Sequence, residues 1–150
     1  MATETTRGQG ILGDDMAQER QQVIELNLAP NFLLARAAMP RLASRGGGAF
    51  VAVSARPALR PFAGAAGYIT GKAAVLAFVR ALDVEYRDDG VRCNAILPSV
   101  IDTPANRASQ PNADHSRWVA PVDIARVVRF LCSEESAPVS GAEVPVYGRA

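Results

Sequence analysis

Apolar residues recur at Ile24, Leu28, Phe32, Ala35, Met39 and Leu42, at spacings of three and four. This stripe predicts a helix, with Asp14 or Asp15 as its cap. Pro30 falls inside it, removing one helical hydrogen bond and bending the axis. The carbonyl so freed is that of Leu26, beside Asn27. A polar amide next to a freed carbonyl is a point where a water can be held; the alternative is a surface asparagine on an amphipathic helix. Ser44-Arg45-Gly46-Gly47-Gly48 ends the helix, and the pattern changes. Residues 49–53 are continuously apolar, as expected of a strand covered on both faces. Residues 54–67, rich in Pro, Gly and Ala, read as a loop. A second helix is expected over 68–88, broken by Asp89-Gly90, and a second buried strand over 91–97. The long segment 98–118 holds three prolines, and a connection of that length is usually functional. Pro121 opens a helix over 122–133 with Ile124, Val127, Val128 and Leu131 on one side. Gly141 precedes a last strand, 143–147. Buried strands alternating with helices predict an α/β fold: one parallel sheet of three strands, ordered as in the chain, with the Val91 strand central.

Residues 1–13 are polar and Gly-containing, and are expected to form a disordered tail before a folded unit at 14–150. At 150 residues, 49% hydrophobic and 21% charged, the chain is one soluble globular domain or part of one. A net charge of +1 argues against nucleic-acid or anionic-membrane binding. No apolar run reaches the ~20 residues of a membrane span, and the N-terminus lacks the pattern of a secretory signal. Cys93 and Cys132 stand apart in apolar segments and read as reduced thiols of a cytoplasmic protein. His115 is the only histidine, which leaves little for a metal site.

The candidate chemistry lies in Gly67-Tyr68-Ile69-Thr70-Gly71-Lys72. On a helix, residues four apart share a face, so the phenol and ammonium stand side by side. Free tyrosine titrates near ~10, and a close cation favours its anion. A tyrosine so placed is suited to acid–base catalysis. Lys72 is the only lysine in the chain. Taken alone, the pair is equally compatible with an ordinary helix surface.

From about residue 23 to 148 the chain resembles the C-terminal half of a short-chain dehydrogenase/reductase. Five stretches carry the likeness: Val23-Ile24-Glu25-Leu26-Asn27-Leu28, Gly48-Ala49-Phe50-Val51-Ala52-Val53-Ser54, Tyr68-x-x-x-Lys72, Gly90-Val91-Arg92-Cys93-Asn94-Ala95-Ile96-Leu97-Pro98 with Ile101-Asp102-Thr103-Pro104, and Val139-Ser140-Gly141-Ala142. Asp102-Thr103-Pro104-x-Asn106-Arg107, Pro111-x-Ala113-Asp114-x-Ser116-x-Trp118 and the loop Ser54-Ala55-Arg56-Pro57-Ala58-Leu59 are similar to the dihydropteridine-reductase-like branch. The family's serine, thirteen residues before the tyrosine, is here Ala55, as in that branch. Ser54 would replace it only by a one-residue shift of the loop, which reverses side-chain direction at a strand end.

The resemblance implies an NAD(P)-dependent oxidoreductase acting on a small molecule. Asn27, Tyr68 and Lys72 would be catalytic: Tyr68 the acid/base, Lys72 lowering its pKa and binding the nicotinamide ribose, and Asn27 holding a water that links Lys72 to solvent. Pro98, Ile101 and Thr103 would join Tyr68 and Lys72 in binding NAD or NADP, with the Thr103 hydroxyl on the carboxamide. Ala55, Asn106, Arg107 and Trp118 would line the substrate side. The resemblance also implies a homo-oligomer in full-length form. The fold's first half, with its Gly-rich pyrophosphate turn, is not found: Gly8, Gly10 and Gly13 follow no strand, and Gly46 to Gly48 precede one. The second reading, of a different class, is a non-catalytic truncated fragment that acts as an association module.

Overall fold

The computed structural model describes residues 17–149, with side chains described from residue 25 onward. The tail expected over 1–13, the caps at Asp14 and Asp15, and the Ile24 side chain lie outside the described residues. The elements run α1 (Ala17–Ser44), β1 (Gly48–Val53), α2 (Ala66–Tyr86), β2 (Val91–Pro98), α3 (Pro104–Ser109), α4 (Pro121–Leu131) and β3 (Glu143–Val146), with single 3-10 turns at Arg56–Ala58, His115–Arg117 and Glu134–Ser136. The three strands form one parallel sheet in the order β1-β2-β3. The expected class, strand order and central strand all agree with this. Among the described residues, no helix is long and apolar enough to cross a membrane.

α1 and α2 pack together and cover one face of the sheet. Ala35 and Met39 of the predicted stripe are buried with Phe50, Ala52, Val75, Val79 and Leu97. The N-terminal part of the stripe is not buried: Phe32 is 53% exposed, its ring tilted against that of Phe78 at 5.9 Å between centroids. α1 continues through both Pro30 and Pro40 as one element. The opposite face is covered by α4, whose Ile124, Val127 and Val128 pack with Leu131, Ile96, Val119 and Val146. β2 is therefore buried along nearly its whole length, as its apolar run predicts. β1 departs from expectation. Phe50 and Ala52 are buried, but Val53 is 44% exposed, because β1 is an edge strand of this sheet and pairs only with β2.

Two backbone crossings fix the ends of the sheet. A Cβ on Gly47 would lie 2.5 Å from the Gly90 carbonyl oxygen, so the chain ahead of β1 passes the chain ahead of β2 closely enough to exclude any side chain. Gly141 has φ +70°, and a Cβ there would lie 2.7 Å from an Asp83 carboxylate oxygen. Asp83 is buried on α2, where it accepts from Ser140 Oγ and pairs with Arg87. Glycine at 141 thus lets the chain turn into β3 against a buried carboxylate.

Segment 98–118 contains structure that its prolines conceal. Thr103 caps α3, its hydroxyl accepting from Asn106 N at 3.2 Å, and Pro104 occupies the first turn. Thr-Pro at a helix start is a readable signal. The segment is tied back to the fold where Val119 N donates to Val100 O at 2.9 Å and Asp102 N to Val119 O at 2.8 Å.

Candidate active site

The carboxyl ends of β1 and β2, the first turns of α2 and the start of the 98–118 segment enclose a cavity of about 600 Å³. Ala55, Tyr68, Lys72, Pro98, Ile101 and Asn106 line it, together with Ser54, Arg56, Arg60, Ser99 and Val100. Parallel α/β sheets leave such crevices at the carboxyl ends of their strands because the chain departs there in opposite directions.

Tyr68 and Lys72 stand one turn apart at the start of α2, with Lys72 Nζ 5.9 Å from the Tyr68 ring centroid. The ammonium donates to Val53 O at 3.1 Å. Ser54 Oγ donates to the Lys72 carbonyl at 2.8 Å, and Ser54 N donates to Ile96 O at 2.9 Å. The end of β1 thus holds the α2 turn that carries both groups. The buried Ser54 hydroxyl is committed to that bond, so it anchors α2, and Ala55 leaves its own position without a hydroxyl.

The electrostatics differ from those expected of a close cation. Burial pushes the Tyr68 phenol above its usual value and pulls the Lys72 ammonium below its own. At this separation, with the ammonium turned to a backbone carbonyl, desolvation outweighs attraction.

Four residues expected at the site do not line this cavity. Asn27 is half-buried on α1, and its carbonyl accepts from Asn31 Nδ2 at 2.8 Å. The Thr103 hydroxyl is occupied as the α3 cap. Arg107 forms a two-pronged pair with Asp102, at 2.5 and 2.8 Å. That pairing holds the Asp102 carboxyl below the usual carboxylate range. Trp118 packs on His115, with ring centroids 4.3 Å apart. For Thr103, Arg107 and Trp118 a nearer partner inside the segment takes the side chain. Asn106 instead faces the cavity while its amide donates to Ile101 O at 2.7 Å, pinning the loop. Arg60, Ser99 and Val100 were not singled out from the sequence. Their signal is positional: they follow the carboxyl ends of strands, where parallel sheets bind ligands.

Comparison with known proteins extends this picture. The family model described as enoyl-(acyl carrier protein) reductase matches residues 5–148. The chain is 32% identical over 149 residues to dehydrogenase/reductase SDR family member 4 of Bos taurus, covering 93% of this chain and 53% of that protein. It is 30% identical over 149 residues to 2-(R)-hydroxypropyl-CoM dehydrogenase of Xanthobacter autotrophicus, covering 93% and 60%. It superposes with TM-score 0.77 and 26% identity on 3-ketoacyl-(acyl-carrier-protein) reductase from Brucella melitensis complexed with NADH, covering 89% and 58%. The chain thus spans a little over half the length of these relatives. A match along nearly the whole chain, on a parallel sheet with a tyrosine and lysine one turn apart at its carboxyl end, places this chain in the short-chain dehydrogenase/reductase family.

Proposed function

We propose that the cavity is the reacting end of an NAD(P)-dependent oxidoreductase, in which Tyr68 gives or takes the proton. The observation that carries this reading is the placement of Tyr68 and Lys72 on the wall of one cavity with Pro98, Ser99 and Ile101. The donor set suits a nicotinamide riboside: an ammonium for hydroxyls, backbone from Pro98 to Ile101 for an amide, and apolar Val100 and Ile101 for a flat ring. When bound, the nicotinamide supplies or accepts the hydride. Burial raises the Tyr68 pKa further above neutral, which suits the phenol to give a proton when a carbonyl is reduced. Lys72, the ammonium one turn away on the same wall, stabilises the phenolate that develops as the proton leaves. Ser54 keeps α2 in register with β1 through the Lys72 carbonyl.

The finer reading, a dihydropteridine-reductase-like branch, is supported by Ala55 on the cavity wall, buried and without a hydroxyl. A substrate reduced here relies on Tyr68 for its proton and receives no second donor from position 55. Asn27 remains the proposed water-holding residue, acting from α1. A cytoplasmic setting fits the free thiols Cys93 and Cys132.

The lone lysine provides the test. In chain labelled with 15N-lysine, only Lys72 gives a lysine signal. Adding NADH or NADPH is expected to shift that signal only at high concentration, because the groups here reach only the nicotinamide end, and in a full-length context Tyr68→Phe is expected to abolish cofactor-dependent reduction while leaving the shift. A Lys72 signal indifferent to both dinucleotides would remove the reading. The second reading, an association module, is favoured by Leu26, Leu33 and Leu34, exposed together on α1. Light scattering on Leu33→Glu, Leu34→Glu chain tests it: an oligomer lost in the variant supports it, and a monomeric parent excludes it.

A further inference from the structure

The charges on the cavity wall are of one sign. Arg56, Arg60 and Lys72 line it, and among the described residues no aspartate or glutamate does. The whole chain holds 16 basic and 15 acidic residues, so the rest of it is slightly acidic. Asp102 of the 98–118 segment is already held by Arg107. Arg56 and Arg60 lie one turn apart, with Arg60 N donating to Arg56 O at 3.0 Å. The Arg56 guanidinium is set over the Tyr147 ring, 5.0 Å from its centroid. Arg60 is exposed, and among the described residues no carboxylate pairs with either arginine. Arg80, Arg87, Arg107 and Arg126 all have acidic partners. Two unpaired guanidinium groups therefore stand on the same wall as the proton donor. Leaving like charges together in a concave site is unfavourable unless an anion joins them.

Resting on the reading of this cavity as the reacting site, we propose that its substrate carries an anionic group, a carboxylate, sulfonate or phosphonate, at the end remote from the reacting atom, and that Arg60 is the residue that selects it. The guanidinium fork binds planar or tetrahedral oxyanions through two parallel hydrogen bonds. Arg56, held by Tyr147, adds field at a fixed position. Phe62 and Pro57, also on the wall, give the apolar surface along which a short carbon chain runs from the anion to Tyr68. The cavity of about 600 Å³ falls within the range of ~300–1,000 Å³ usual for small-molecule sites.

The test compares levulinate with 5-methyl-2-hexanone, a ketone of the same shape in which an isopropyl group replaces the carboxylate. Binding to the whole 150-residue chain is read from the Lys72 15N-lysine signal and by calorimetry. The sulfonate and phosphonate analogues of levulinate rank the oxyanions. Levulinate is expected to bind at least about tenfold more tightly than the neutral ketone. Arg60→Ala is expected to erase that preference, and Arg60→Lys to restore part of it. Arg60 is exposed and unpaired, so neither change endangers the fold. Equal binding of the two ketones, a preference that survives Arg60→Ala, or binding of none of the anions would each overturn the proposal. NADH titrated separately distinguishes the two failures. Anion preference without dinucleotide binding sinks the oxidoreductase reading alone, whereas dinucleotide binding without anion preference sinks only the substrate class.

Discussion

The two ends of β2 treat their polar neighbours in opposite ways. At the amino end, Arg92 donates to the Leu131, Ser133 and Ser136 carbonyls and to Ser136 Oγ at 2.8–3.2 Å. Asn94 is fully buried and uses both ends of its amide, donating to Val139 O and accepting from Ala142 N, each at 2.9 Å. Cys93 N donates to Ser140 Oγ at 3.1 Å. These bonds stitch the end of α4 and the segment after it to the sheet. At the carboxyl end, the groups beyond β2 and β1 face a cavity, and the Arg60 guanidinium and the Tyr68 hydroxyl make no hydrogen bond within the described residues. Polar groups that are satisfied internally hold the fold. Those left open in a concave site await a ligand.

The comparison yields four measurements, from the largest expected effect to the smallest. Tyr68→Phe, at the open end, should lower turnover by roughly 10²–10⁴-fold, the usual worth of a positioned proton donor. The side chain is 39% exposed and the ring is retained, so the denaturation midpoint should not move. A large stability loss would mean that the phenol belongs to the fold. Arg92→Met, at the closed end, should do the reverse. It removes the bonds to the Leu131, Ser133 and Ser136 carbonyls and to Ser136 Oγ and should cost about 1–3 kcal/mol of stability in urea unfolding, with the Lys72 response to dinucleotide unchanged. Gly141→Ala should cost ~1–3 kcal/mol, because it combines a left-handed backbone with a methyl driven against the Asp83 carboxylate. An unchanged midpoint would show that Asp83 moves aside freely.

The smallest effect concerns the thiols. Burial, and then the Asp83 charge, pushes Cys93 up to about 12, whereas Cys132 is exposed. In native chain at pH 8, iodoacetamide should modify Cys132 and spare Cys93 until the chain unfolds, which mass spectrometry would read directly. The same shift bears on stability. Above the ordinary thiol value of 9.0 the unfolded chain has lost the Cys93 proton while the folded chain retains it. Stability from this group is therefore complete below that pH and declines as pH rises toward 12. Rapid alkylation of native Cys93 would mean that the amino end of β2 opens readily.

Much of this was legible in the residues. Short apolar runs separated by helical patterns give a parallel sheet because strands covered on both faces need crossovers, and the order β1-β2-β3 followed. The tyrosine and lysine share a helix face because the helical repeat is local. Boundaries moved by only one or two residues, as where α2 begins at Ala66 rather than at Tyr68. Other features depended on partners distant in sequence. Arg92 and Asn94 read as part of a strand, and their bonding to residues 131–142 appears only once α4 and β3 lie alongside. Asn27, Thr103, Arg107 and Trp118 carry the right chemistry in the expected segments. Whether such a side chain reaches a cavity depends on which neighbour competes for it, and a cap, a carboxylate and an imidazole were nearer for the last three.

The sequence alone determined the class of fold, the central strand and the shared helix face of Tyr68 and Lys72, because each follows from local spacing and patterning. Only the tertiary structure decided that burial raises rather than lowers the Tyr68 pKa, that Ser54 anchors α2, and that Arg56 and Arg60 stand unpaired on the Tyr68 cavity. Those outcomes are set by desolvation and by competition among groups that meet only after the chain has folded, and no local spacing encodes them.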